Sequence, residues 1–162
     1  MPTMTRQREA TLRFFAEPGD VNFYGKVFGG AVMKWIDLAG YACAAGWCGS
    51  ACVTVYVGGI RFYKPVLIGH MIEVRAKLIH TGRTSMHMAV DVRSRDPQGE
   101  GDYTHTTHCV IVFVAIDAAG NTITVPAWDP VTDEDKALQQ YALKLHAMNK
   151  SIEGEMKPYL GV

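Results

Sequence analysis

The sequence has no excess of charge of either sign: sixteen lysines and arginines balance sixteen aspartates and glutamates over 162 residues. A chain without a net field has no long-range means of gathering onto nucleic acid or an acidic membrane, so neither is expected as a partner. CxxC pairs are missing too. The four cysteines are Cys43, Cys48, Cys52 and Cys109, which predicts free thiols in a reducing, cytoplasmic compartment. The amino-terminal stretch MPTMTRQREATLRF lacks an apolar run ahead of a small-residue cleavage site, so no secretory leader is expected. A GxSxG elbow is absent, which leaves a serine nucleophile without its usual setting. No internal repeat or low-complexity tract is visible.

Residues 38–60 lack charge altogether, a length that could span a bilayer. Gly46, Gly49 and Ser50 interrupt this run, and Val53-Thr54-Val55-Tyr56-Val57 is β-branched and aromatic. A helix end, a turn and a buried strand explain it better than a membrane helix.

Periodicity then orders the chain. Residues 12–15 read as a strand, and 16–28 form a loop rich in Pro18, Gly19, Asp20, Asn22 and Gly25. One helix follows over 29–47, with Val32, Trp35, Ile36, Ala39 and Cys43 at helical spacing as its core face. Strands are predicted over 51–57 continuing to 60–63 through a bulge or bend at Gly58-Gly59, then 71–80, 85–95 and 103–116. Short turns at Gly82-Arg83 and Asp96-Pro97-Gln98-Gly99 make the last three antiparallel neighbours. A second helix begins after Thr132, a capping residue followed by Asp133, Glu134 and Asp135. Leu138, Tyr141, Leu145, Met148 and Ile152 give it one apolar face. One domain over 1–162 is expected, with a core at about 10–117 and a tail and helix at 118–162. The final strand is apolar on both faces and one wrapped helix covers only one, so a homo-oligomer is expected to bury the other.

Chemistry points to Asp20-x-Asn22-x-x-Gly25-x-x-Phe28-Gly29-Gly30-x-x-Met33-x-x-x-Asp37. Glycines at a helix start let a ligand approach the unpaired amides of the first turn, which suit an oxygen gaining negative charge. A thioester carbonyl becomes such an oxygen under attack. Asp37 lies two turns on, away from the core stripe, with Gly30, Met33, Gly40, Tyr41 and Ala44 as helical neighbours. A carboxylate among small and apolar groups, partly buried, is a candidate base. The expected arrangement sets Asp37 against a carbonyl gripped by the amino-terminal amides of the same helix, with the Asn22 amide holding a water or carbonyl.

With Val53-Thr54, Ile60-x-Phe62-x-x-Pro65-Val66-x-x-Gly69 and Gly82-Arg83-Thr84-Ser85, this segment resembles the hotdog-fold acyl-CoA thioesterases. The likeness is to the acyl-CoA hydrolase subfamily of cytosolic long-chain and bacterial short-to-medium-chain enzymes, and it covers residues from about 12 to 117. It implies an α+β hotdog fold, with an antiparallel five-stranded sheet wrapped around one central helix and an extra carboxy-terminal helix. It also implies dimers with the site at the interface, often as a trimer of dimers. By the resemblance, Asp37 is the catalytic acid, as base or nucleophile, and Asn22 assists from the partner subunit. Gly30 and its neighbours supply oxyanion donors, Gly29 and Thr54 contact substrate, and Lys64 with Arg83, Thr84 and Ser85 lies near the coenzyme A phosphates. Acyl-CoA is the substrate, and coenzyme A enters only as part of it, so no separate cofactor is implied. His70 departs from the family, standing where an acidic residue is frequent.

Other chemistry is less well supported. His105 and His108 are three apart on a strand and so are expected on opposite faces, which argues against a shared metal ion. Cys43 sits on the core stripe, and Cys48 lies at the helix end where the dipole disfavours a thiolate. Arg93 and Arg95 are further candidates for a phosphate patch. A module that binds acyl-CoA without hydrolysing it would use the same pocket. An enoyl-thioester hydratase or dehydratase would favour an Asp/His pair, and no histidine lies between Asp20 and Asp37.

Overall fold

The computed structural model describes residues 6–161. Five strands, β1 (Glu9–Phe15), β2 (Ala51–Phe62), β3 (Met71–Thr81), β4 (Ser85–Arg95) and β5 (Thr104–Ile116), pair antiparallel in the order β1-β3-β4-β5-β2. The helix α1 (Gly29–Cys48) lies in the concave face, and α2 (Asp133–Met156) packs on the convex face. No helix among the described residues is long and apolar enough to cross a membrane.

The predicted stripe of α1 is its core face: Val32, Trp35, Ile36, Ala39 and Cys43 are all buried against inward residues of β3, β4 and β5. Full burial of each large aliphatic chain contributes about 1.5–3 kcal/mol. Gly49 ends the helix in the left-handed conformation, φ 70°, and its amide returns to the Ala45 carbonyl. The four cysteines are unbonded thiols. Burial pushes the Cys43 and Cys109 thiols up to about 12, which makes both inert.

The bulge or bend read at Gly58-Gly59 is present as a register shift within one continuous β2, and a second shift falls between Thr54 and Tyr56. Three expectations need correction. Gly40, grouped with Asp37 away from the core stripe, instead faces the core: a Cβ there would meet the Phe113 ring at 2.8 Å and Ile111 at 3.0 Å. The outer face of β5 is already covered within the chain. Val110 packs with Ile79, Ala89 and Ala142 beneath Leu138, Tyr141 and Leu145 of α2, so β5 is not the surface that calls for an oligomer. Met148 and Ile152, further along α2, remain exposed.

The third correction concerns His105 and His108. The β4–β5 register shifts between Val92 and Arg93: Val92 faces Thr107 while Arg93 faces His105. Thr106 is therefore an extra residue, a bulge that turns His105 onto the face occupied by His108. Both rings reach the same Asp91 Oδ1, each at 2.8 Å.

Candidate active site

Asp37 is half-buried in the middle of α1. The Thr54 hydroxyl donates to its Oδ1 at 2.6 Å, so this residue, expected to touch substrate, is engaged with the carboxylate and orients it. Thr54 stands at the first register shift of β2, which re-aims side chains at that point.

Asn22 is held in a tight loop. Its Oδ1 accepts from the Tyr24 and Lys26 amides at 2.9 and 3.2 Å, and Gly25 takes φ 74° to close the turn. The carbonyl end of the amide is thus occupied by the loop, leaving the NH2 as the end available to a ligand.

At the start of α1, the Ala31 and Val32 amides both point to the Phe28 carbonyl, at 3.0 and 3.4 Å. Gly29 and Gly30 are the amides ahead of them, free for an incoming oxygen. Cβ atoms at these glycines would crowd the Phe62 and Phe28 rings at 3.2 and 3.3 Å. Seven residues separate Gly30 from Asp37, a rise of about 10 Å. Amides and carboxylate of one helix therefore cannot meet at one carbonyl, contrary to the same-helix expectation.

The remaining predicted residues divide between the two ends of the sheet. Lys64 shares a cavity of about 500 Å³ with Gly29, Val32, Phe62 and Val66. Thr107 also lines it, with a buried hydroxyl that has no hydrogen-bond partner. The Arg83-Thr84-Ser85 turn lies at the opposite end, where Val125 and Ala115 amides bond to the Arg83 and Thr84 carbonyls. Along β5 the row of Phe62 and the row of Ser85 are Thr107 and Val114, about 23 Å apart at 3.3 Å per residue. Lys64 and Arg83 do not form one patch within a chain. Lys64 instead lines a second cavity of about 300 Å³ with Arg95 and His70, and Arg93 lies on the convex face with Asp91 and His105.

Exposed apolar side chains surround this unfinished site. Phe23 and Tyr24 in the loop, Met33 and Tyr41 on α1, and Val53, Val55 and Val57 on β2 are all open to solvent. β2 is the last strand of the sheet, with one edge unpaired. An edge flanked by exposed apolar groups is a surface built to be covered.

Sequence reasoning missed Thr107, the role of Thr54 and one histidine group on the convex face, and placed His105 and His108 on opposite faces. The bulge at Thr106 had no glycine to announce it. His80 and His87, paired across the β3–β4 hairpin, meet the sequence-distant His146 of α2 with ring centroids 5.0 and 5.5 Å apart.

A five-stranded antiparallel sheet around a central helix, with a carboxylate in mid-helix and glycines at its start, is the architecture that the resemblance to hotdog-fold thioesterases implied. Comparison agrees. The Thioesterase superfamily model matches residues 24–100. Acyl-CoA thioester hydrolase YciA of Salmonella typhimurium is 32% identical over 130 residues, covering 78% of this chain and 98% of its own. An apo-hexameric acyl-CoA thioesterase superposes with a TM-score of 0.84 at 31% identity, over 90% of this chain and 93% of that one. The acyl-CoA hydrolase of Staphylococcus aureus, solved with butyryl coenzyme A and coenzyme A, gives 0.85 at 25% identity, over 94% and 93%. The chain belongs to the hotdog-fold acyl-CoA thioester hydrolases.

Proposed function

We propose that this chain hydrolyses acyl-CoA to a free fatty acid and coenzyme A, at a site completed by a second copy. The observation that carries the reading is the Asp37 carboxylate, oriented by Thr54 and bordered by exposed apolar surface, about 10 Å down the helix from the free amides. Pairing β2 with β2 of a second copy about a two-fold axis runs the two edges antiparallel. The amide end of one helix is then brought toward the middle of the other, and the Lys64 end of one protomer toward the Arg83 end of its partner. Asn22, Gly29 and Gly30 from one copy would face Asp37 and Thr54 from the other. Lys64, Arg83, Thr84 and Ser85 then become one phosphate-binding surface shared by two chains. A trimer of such dimers is the assembly we favour, supported by the hexameric state of the thioesterase relative.

In this site the thioester carbonyl accepts from the Gly29 and Gly30 amides. Water attacks the carbonyl carbon while Asp37 takes its proton, and the tetrahedral oxyanion is held by the amides and the helix dipole. Collapse breaks the C–S bond, the coenzyme A thiolate takes the proton, and the carboxylic acid is released. Asp37 attacking the carbon itself, with water cleaving the resulting anhydride, gives the same products. Turnover in H₂¹⁸O under single-turnover conditions tests the second route, because label enters Asp37 only when water opens an anhydride at the aspartyl carbon. The free thiols support a reducing, cytoplasmic setting, and the packing of α2 on the sheet supports one domain over 1–162.

The test is a thiol-release assay across acyl-CoAs of increasing chain length. Replacing Asp37 with Ala should lower kcat by about 10²–10⁴-fold while leaving the circular dichroism spectrum intact. Unchanged turnover would remove Asp37 from the reaction. Thermal stabilisation by acyl-CoA without thiol release would make the protein a binding module instead.

A further inference from the structure

The convex face carries a second constellation, apart from the thioesterase site. The cross-strand row Thr11, Arg75, Asp91 and His108 is set by the β1–β3, β3–β4 and β4–β5 registers, and the Thr106 bulge adds His105 to it. Asp91, His105 and His108 each offer one ligand atom, and these atoms lie within 4.8 Å of one another. We propose that these three residues bind a divalent transition-metal ion, with zinc the best match.

Three observations carry the assignment. Two imidazoles and one carboxylate form a borderline donor set that suits zinc and its neighbours rather than magnesium or calcium. The two His-to-Asp91 contacts are 2.8 Å. Ligand atoms on a tetrahedral ion with ~2.0–2.1 Å bonds sit about 3.3 Å apart, so admitting the ion spreads each contact by about half an ångström. His105 and Asp91 are partly exposed, and their side chains have room to make that shift.

The second observation is how His108 is held. Its Nε2 lies 2.8 Å from the Tyr141 hydroxyl of α2, which fixes the ring and leaves Nδ1 directed at Asp91. A ligating imidazole anchored through its other nitrogen is the usual arrangement at metal sites. The third is access. Asp91 and His105 open onto a cavity of about 420 Å³ also lined by Arg75, Lys77 and Arg93. Remaining coordination positions would face this cavity, where the guanidinium groups balance an anionic co-ligand on the metal. The same trio without metal is a hydrogen-bonded group in which both rings donate to Asp91, and the experiment separates the two.

Purified full-length protein is stripped with chelator and titrated with Zn²⁺ against a chromophoric competitor. A parallel titration with Co²⁺ is read by its visible absorption. One ion per chain is expected, with cobalt bands of a low-coordinate nitrogen and oxygen site. His105→Ala, at a half-exposed position, should weaken Zn²⁺ by at least about 10-fold, and Tyr141→Phe by about 10-fold. His146→Ala, which leaves the trio intact, should bind as wild type does. Acyl-CoA hydrolysis by His105→Ala should stay at the wild-type level, which keeps this outcome independent of the thioesterase reading. Failure to take up an ion, or equal affinity in wild type and His105→Ala, overturns the proposal.

Discussion

The two faces of the sheet are finished to different degrees. On the convex side α2 covers Ile79, Ala89 and Val110 within the chain. It is tied down where Arg8 meets Asp135 at 2.6 Å and also donates to the Leu78 carbonyl. On the concave side α1 buries its stripe, yet the edge of β2, the 22–26 loop and the Asp37 face of the helix are left apolar and open. A chain can complete one face with its own tail. In the proposed function, the face that carries Asp37 is left to a second copy, which would tie the reaction to assembly.

The strongest way to break that comparison is to spoil the open edge. Val53→Lys with Val57→Lys places charges along β2 where a partner strand would sit, and like charges opposed across a two-fold are destabilising. The protein should become monomeric by light scattering and lose nearly all thioesterase activity while its helical signal persists. A monomer with full activity would mean that one chain holds the whole site. Gly40→Ala probes the closed interior. Forcing a methyl against the Phe113 ring should cost about 1–3 kcal/mol in urea unfolding, and no loss would mean that Phe113 has room to turn.

Thr54→Val removes the donor to Asp37 and keeps the shape. About 10-fold in kcat should be lost, as for a hydrogen bond to a charged group, with KM little changed. Thr54→Ser should recover most of it, and equal losses in both variants would point to packing alone. The last comparison is on the convex side. Burial, and then the neighbouring His80 and His146, push His87 from its ordinary 6.5 down to about 3. Below pH 6.5 the unfolded chain takes up a proton that the folded protein refuses, so stability falls as pH drops from 6.5 toward 3. Wild type should lose about 1 kcal/mol per pH unit in that window, and His87→Leu should show a shallower slope. Parallel slopes would mean that His87 is solvated in the folded state.

Much of this was legible in the sequence because it is local. The stripe Val32, Trp35, Ile36, Ala39 and Cys43 announces a core-facing helix, and it is buried as read. Thr132 reads as a cap, and its hydroxyl accepts from the Asp135 amide at 3.1 Å. Asp37 is legible as a carboxylate in the wrong company for a solvated face. Distances across the sheet were not legible. Lys64 and Arg83 looked like partners until the register placed them at opposite ends, and His105 and His108 looked opposed until one extra residue in β5 turned them together. A bulge or a register shift alters no composition and little periodicity, so it leaves almost no trace in the order of residues.

Element order, the identity of the wrapped helix and the presence of an acid on its open side follow from sequence alone, because hydrophobic period and capping are properties of neighbouring residues. Which side chains meet was decided only by tertiary structure: Thr54 on Asp37, Phe113 over Gly40, and two histidines on Asp91. Those meetings depend on how strands slide and helices lie across them, and that is fixed by packing the whole chain at once.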